Sequence, residues 1–184
     1  MDDAIVATMR RVVAALRDAD VPYLLGGGFA CWARGGPFSE HDLDVMVKPQ
    51  DAVRAQRALA EAGMRTEDPP EEWLLKAYDG DVLVDLIFEP QGLPMTDEVI
   101  ERGDELTVEA ITARVMALED VIATKLLVLD EHECDFAALI AIARALREQI
   151  DWAEVRQRTA GSPFAQAFFV IAEGLGLLES LAVG

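Results

Sequence analysis

Cysteine is scarce in this 184-residue chain, and its two copies, Cys31 and Cys134, stand in unrelated contexts. That excludes a disulfide framework and fits reduced thiols in a cytoplasmic protein. No apolar run is long enough to span a bilayer, so no membrane partner is expected. The N-terminus, MDDAIVATMRR, puts acids ahead of its apolar residues and offers no cleavage-like site, which is not the pattern of a secretion signal. Internal repeats and low-complexity tracts are absent. Basic residues are few, 16 Lys and Arg against 34 Asp and Glu, and the net charge of −18 excludes a general nucleic-acid coat. What the chain does have is apolar mass. Hydrophobic residues make up 52%, enough for a real core and too many for disorder, and the length fits one domain, or one with a small extension.

The acid is unevenly spread. Residues 67–105 hold thirteen Asp and Glu against two Lys and Arg, a net of −11. Such a region is either a solvated face or a surface that selects cations.

Apolar spacing predicts a helix over 3–19 and a short strand at 22-PYLL-25 running into glycines. It then predicts a short helix over 27–34, the loop 35-GGPFSE-40 and the strand 43-LDVMV-47. A helix over 50–62 stops at Gly63. Strands near 73-WLLKAY-78 and 82-VLVDLIF-88 flank Asp79-Gly80, a hairpin signal. A further strand is expected within 104–115. From Leu118 the chain reads as helices, over 118–130, 134–148, 151–159 and 164–181. The expected class is therefore α/β (α+β): a small mixed β-sheet core with flanking helices over 1–116, then a C-terminal helical bundle over 117–184.

Two carboxylates stand where a core strand should be. Residues two apart on a strand share a face, so Asp42 and Asp44 project together while Leu43 and Val45 point the other way. Asp85 is surrounded by apolar neighbours in 82-VLVDLIF-88. On adjacent strands the three would converge, repel one another and call for a hard divalent cation. Two Mg²⁺ ions about 4 Å apart are the usual arrangement for displacement at phosphorus. Blander readings exist: Asp42 as a turn cap, Asp85 as the partner of a buried lysine. Gly26-Gly27-Gly28 follows a strand and opens a helix, where backbone N–H groups suit a phosphate or simply allow a tight turn. Cys31 breaks the dinucleotide-binding glycine pattern, and no Gly-Lys-Ser/Thr follows for a Walker loop.

This combination, strand-Gly-Gly-helix, Asp-x-Asp in the next strand and a third Asp in a later one, resembles the nucleotidyltransferase superfamily to which DNA polymerase β belongs. The resemblance covers roughly residues 20–90. It implies that Gly26 and Gly27 hold the triphosphate, that Asp42 and Asp44 hold the metals, and that Asp85 helps activate the attacking hydroxyl and bridges metal.

On a helical wheel Lys125 falls within the apolar arc of Val121, Ile122, Leu126 and Leu129. A lysine is almost never buried without a partner, so it either snorkels to an edge or faces an anionic site. The stretch 118-LEDVIATKLLVLDEHECDFAALI-140 is similar to the AbiEii and MenT-type nucleotidyltransferase toxins. That likeness gives Lys125 the nucleotide phosphates and Asp135 the task of holding it. The plainer alternatives are a structural salt bridge for Lys125 and a first-turn helix acid for Asp135. Some members of that group carry a Ser or Thr two residues before the first Asp; here the position is Glu40, with Ser39 beside it.

A second branch also fits. 41-HDLD-44, with Gly35 and Gly36, looks like the aminoglycoside and lincosamide nucleotidyltransferases; His41 beside Asp42 either orients a ligand or is a solvent-exposed loop residue. The expectation is an Mg²⁺-dependent enzyme moving a nucleoside monophosphate from an NTP to an acceptor hydroxyl. The preferred acceptor is the tRNA 3′ end, in a toxin with an antitoxin partner. The alternatives are an antibiotic-like small molecule, or a degenerate fold that binds nucleotide without turnover. Arg10, Arg11, Arg17, Arg144, Arg147, Arg156 and Arg158 speak for RNA, and the acidic 67–105 region speaks against it.

Overall fold

The computed structural model describes residues 3–37 and 42–179. Ser39, Glu40 and His41, named above, lie outside the described residues. The elements run α1 (Asp3–Asp18), β1 (Tyr23–Leu25), α2 (Gly27–Trp32), β2 (Asp42–Val47), α3 (Ala52–Glu61), β3 (Arg65–Glu67), β4 (Leu74–Asp79), β5 (Val82–Ile87), α4 (Asp97–Arg102), β6 (Asp104–Val108), β7 (Ile111–Val115), α5 (Leu118–Leu127), α6 (Phe136–Leu146), α7 (Trp152–Arg158) and α8 (Pro163–Gly174). The strands form one mixed sheet in the order β3-β4-β5-β2-β1-β7-β6. The β2–β5 and β1–β7 pairs are parallel and the rest antiparallel.

Alternation decides which side of the sheet is covered. Leu43, Val45, Ala77, Val84 and Leu86 are fully buried, while Asp42, Asp44, Lys76, Tyr78, Leu83 and Asp85 on the opposite face are only half-buried. That pattern belongs to strands with one face on a core and the other open. The covering layer is α1 with α3, packed on β2, β4 and β5. Ile5, Met9, Val12, Val13 and Leu16 of α1 form its buried stripe, and the Thr8 hydroxyl donates to the Asp79 carboxylate (3.0 Å). On the other side α2 packs on β2, and α5 packs on α2, α7 and α8. Met116 at the junction is buried and its N–H donates to the Leu25 carbonyl (2.9 Å). Among the described residues no helix is long and apolar enough to cross a membrane.

The structure departs from expectation in detail. Residues 104–115 hold two strands, not one, joined at Glu109 (φ 49°) and Ala110 (φ 60°). A two-residue turn of this kind needs the left-handed region at both positions, and Asn-Gly would have announced it; Glu-Ala does not. β3 is three polar residues at the sheet edge, and α4 follows a Thr96 cap that accepts from the Val99 N–H (3.4 Å). α6 begins at Phe136 rather than 134, because Asp135 caps it.

Candidate active site

The turn from β1 into α2 is built around one carboxylate. The Gly26 N–H donates to the Asp44 carbonyl (2.9 Å), which stitches the turn to β2. Gly27 adopts φ +51°, and a Cβ placed there would lie 1.6 Å from Asp44 Oδ2. No side chain fits, so the glycine is required by close approach as well as by its backbone. At Gly26 an added Cβ would meet Met46 Cε at 2.7 Å. The glycine run thus cradles the Asp44 carboxylate.

The parallel register places Asp44 directly opposite Asp85, with Asp42 opposite Leu83 two residues earlier. Asp42, Asp44 and Asp85 therefore share the open face, on adjacent strands. Asp85 Oδ1 is buried and has no hydrogen-bond partner among the described residues. Burial pushes the Asp85 carboxyl above the usual carboxylate range; Lys76 opposes the shift, while Asp42 and Glu71 add to it. Lys76 was not singled out from sequence. The hairpin brings it opposite Asp85 on the same face, and the turn signal held that information: pairing Asp79 with Val82 and counting three residues back from each end of the turn reaches this pair.

A cavity of about 370 Å³ opens beside Asp44. Gly27, Asp44 and Lys125 line it together, Lys125 coming half-buried from α5. Asp42 and Asp85 do not line it. Asp135 does not either: it is exposed and caps α6, accepting from the Ala137 N–H (2.9 Å) and the Ala138 N–H (3.3 Å). A residue that sequence reasoning passed over holds α5 in place. Asp120 is fully buried and accepts from Arg102 of α4 at both oxygens (2.7 and 3.0 Å), and Arg158 of α7 lies 2.8 Å from Oδ1 as an ion pair. Its partners lie 18 and 38 positions away, so no local pattern points to them.

Among the described residues no three His, Cys, Asp or Glu side chains form a ready-made metal cage. Magnesium does not need one: it is usually held by one or two carboxylates, with substrate phosphates and water completing the octahedron. The opposed Asp44 and Asp85, the unpartnered Asp85 oxygen and the close seat that Gly27 gives the Asp44 carboxylate fit that requirement.

The family model described as "Uncharacterised nucleotidyltransferase" matches residues 2–183. No curated protein sequence is similar enough to match the chain. Among solved structures, the fold is similar to the antibiotic-resistance factor ANT(2'')-Ia in solution, with 17% identity and a TM-score of 0.67 over 96% of this chain and 99% of that one. It is similar to the same factor in complex with adenylyl-2''-tobramycin, with 17% identity and a TM-score of 0.65 over 89% and 98%. It is also similar to the lincomycin-bound lincosamide antibiotic adenylyltransferase LnuA, with 12% identity and a TM-score of 0.50 over 77% and 94%. At these identities the likeness is one of fold.

Proposed function

The chain belongs to this nucleotidyltransferase family, and from that premise we propose that it moves a nucleoside monophosphate from an NTP to the hydroxyl of a small cationic acceptor, releasing pyrophosphate. The observation that carries the reading is the Asp44–Asp85 register beside the Gly26-Gly27 turn, with Lys125 on the same cavity. Asp42 and Asp44 would hold Mg²⁺ with Asp85. Bound there, the metal would neutralise phosphate oxygens as a Lewis acid. Asp85 is the candidate base for the acceptor hydroxyl, because its Oδ1 makes no hydrogen bond among the described residues and it stands beside Asp44 in the register. The Gly26-Gly27 turn would meet the β,γ-phosphates with its backbone while seating Asp44, and Lys125 would offset charge developing on them. Asp135 keeps the role its bonds give it, at the start of α6.

Charge supports the choice of acceptor. Glu71 acts on Asp85 and is exposed beside Glu72, in a protein of net −18. Most of the arginines that spoke for RNA are engaged at home. Arg11 meets Asp79, Arg147 meets Glu148, Arg156 meets Glu173, and Arg158 meets Asp120 and Glu154. Exposed Arg10 and Arg144 keep a second reading in play, the tRNA 3′ end as acceptor in a toxin with an antitoxin. The test is incubation with each α-labelled NTP and Mg²⁺, plus either total tRNA or an aminoglycoside and lincosamide panel. Label is expected on a small cationic acceptor and lost in Asp44→Asn. Label on tRNA alone overturns the acceptor, and no labelled acceptor or NTP turnover overturns the reaction.

A further inference from the structure

Six large hydrophobic side chains are exposed among the described residues, and two of them, Trp73 and Val128, border the cavity that holds Gly27, Asp44 and Lys125. Trp73 is the one exposed aromatic among them, at 44%. An indole left in water costs free energy unless something covers it. Its backbone is not loose: the Trp73 carbonyl accepts from the N–H groups of Phe88 (3.1 Å) and Glu89 (3.3 Å), which locks it to the end of β5. The residue is thus anchored through its backbone at the rim, and Met46, Ile87, Pro90, Val121 and Val128 continue the apolar wall.

The cavity divides the two substrates. Asp44 lines it, but Asp42 and Asp85 do not, and Lys76 and Tyr78 beside them stand on the open sheet face. A volume of about 370 Å³ lies at the small end of the ligand-pocket range, room for one nucleoside and not for a second polycyclic substrate. A polyhydroxylated cation finds little to bond to on an apolar wall, whereas a nucleobase presents a flat π-face to it. Every base stacks on an aromatic side chain, and the larger rings cover more of it.

We infer that Trp73 is the shelf on which the base of the NTP stacks, and that purine nucleotides are preferred there, while the acceptor approaches from the open face past Asp85. This rests on the proposed nucleotidyl transfer. The triphosphate would sit at the Gly27–Lys125 end and the base would reach across Val121 to the indole.

The test is calorimetric titration of the whole protein with the α,β-methylene analogues of ATP and CTP, and separately with inorganic pyrophosphate, all with Mg²⁺. Wild type is expected to bind the ATP analogue more tightly than the CTP analogue. Trp73→Ala should weaken the ATP analogue about tenfold, the scale of one lost base–aromatic stack, narrow the ATP–CTP gap and leave pyrophosphate binding unchanged. Trp73→Phe should recover most of the loss. Equal weakening of pyrophosphate and the analogue in Trp73→Ala would mean general damage to the site and would overturn the shelf. So would analogue binding that Trp73→Ala leaves unchanged while wild type transfers nucleotide, and that result leaves the reaction standing. A wild type that binds neither analogue nor pyrophosphate and turns over no NTP would remove the reaction itself, and the shelf with it.

Discussion

A single methyl group is the smallest probe of the site. Gly27→Ala puts a Cβ where Asp44 Oδ2 now sits and asks alanine to hold φ +51°. The backbone cost alone is about 1–2 kcal/mol, and the carboxylate must move. A misplacement of about 1 Å at a reacting centre can cost on the order of a hundredfold, so transfer should fall at least that far while urea unfolding shows only a modest loss. A fully active Gly27→Ala enzyme would show that Asp44 need not stand where the turn holds it. Asp85 offers a second probe, through pH. Its carboxyl is raised when folded, so the folded state binds the proton more tightly than the unfolded chain does. In metal-free protein the resulting stability is fully present below the ordinary carboxylate range, and it is lost as pH rises through the raised value. Asp85→Asn removes this dependence. Its melting temperature should exceed that of wild type at pH 7–8 without metal, and the gap should close toward pH 4. Lys76→Met should extend the sensitive window upward, since Lys76 holds the carboxyl down. A gap that does not change with pH would assign the effect to packing.

Among the elements, α5 matters most, because it carries Val121, Thr124, Lys125 and Val128 to the cavity. Its first turn is pinned by Asp120, fully buried between Arg102 and Arg158. A buried ion group of this kind is weak evidence for net stability, but stripping it is costly because a charge is left stranded. Arg102→Ala alone leaves Arg158 in place and should cost about 1–2 kcal/mol. Arg102→Ala with Arg158→Ala should cost about 3–5 kcal/mol, more than the two single losses added, as read from urea midpoints. Small, additive losses would mean that Asp120 finds another partner.

The same elements show what a sequence can reveal. The apolar stripe of α1, the alternation in β2 and β5 and the same-face spacing of Asp42 and Asp44 are local patterns, and each is visible in a few residues. The pairing of Asp44 with Asp85 is not, since parallel strands choose partners through the tertiary fold. The β6–β7 turn was hidden because Glu109 and Ala110 take left-handed conformations that their types do not advertise. β3 was hidden because three polar residues become a strand only when β4 is there to pair with them.

At the scale of the whole molecule, charge decides which acceptor can come near. The net of −11 over residues 67–105 spans β4, β5 and α4, so the acid flanks in sequence the strand that carries Asp85. Glu71 and Glu72 are exposed just ahead of Trp73, and Glu71 is close enough to act on Asp85. A unit charge pair 10 Å apart in water is worth about 0.4 kcal/mol, so two such acids facing a multiply charged acceptor amount to a several-fold effect at low salt. Salt alone is a poor test, because it weakens the binding of a polycation and of RNA alike. The sign of a charge change separates them. Glu71→Gln with Glu72→Gln alters only exposed side chains and should leave the melting temperature nearly unchanged. In about 20 mM salt it should raise KM for a cationic acceptor several-fold and leave the Kd for pyrophosphate no weaker. In about 0.5 M salt, where the Debye length is only a few ångströms, the difference should vanish. An RNA acceptor would respond in the opposite direction, with KM falling as the two repelling charges are removed. A lower acceptor KM in the double variant would therefore overturn the cationic acceptor and favour the tRNA end.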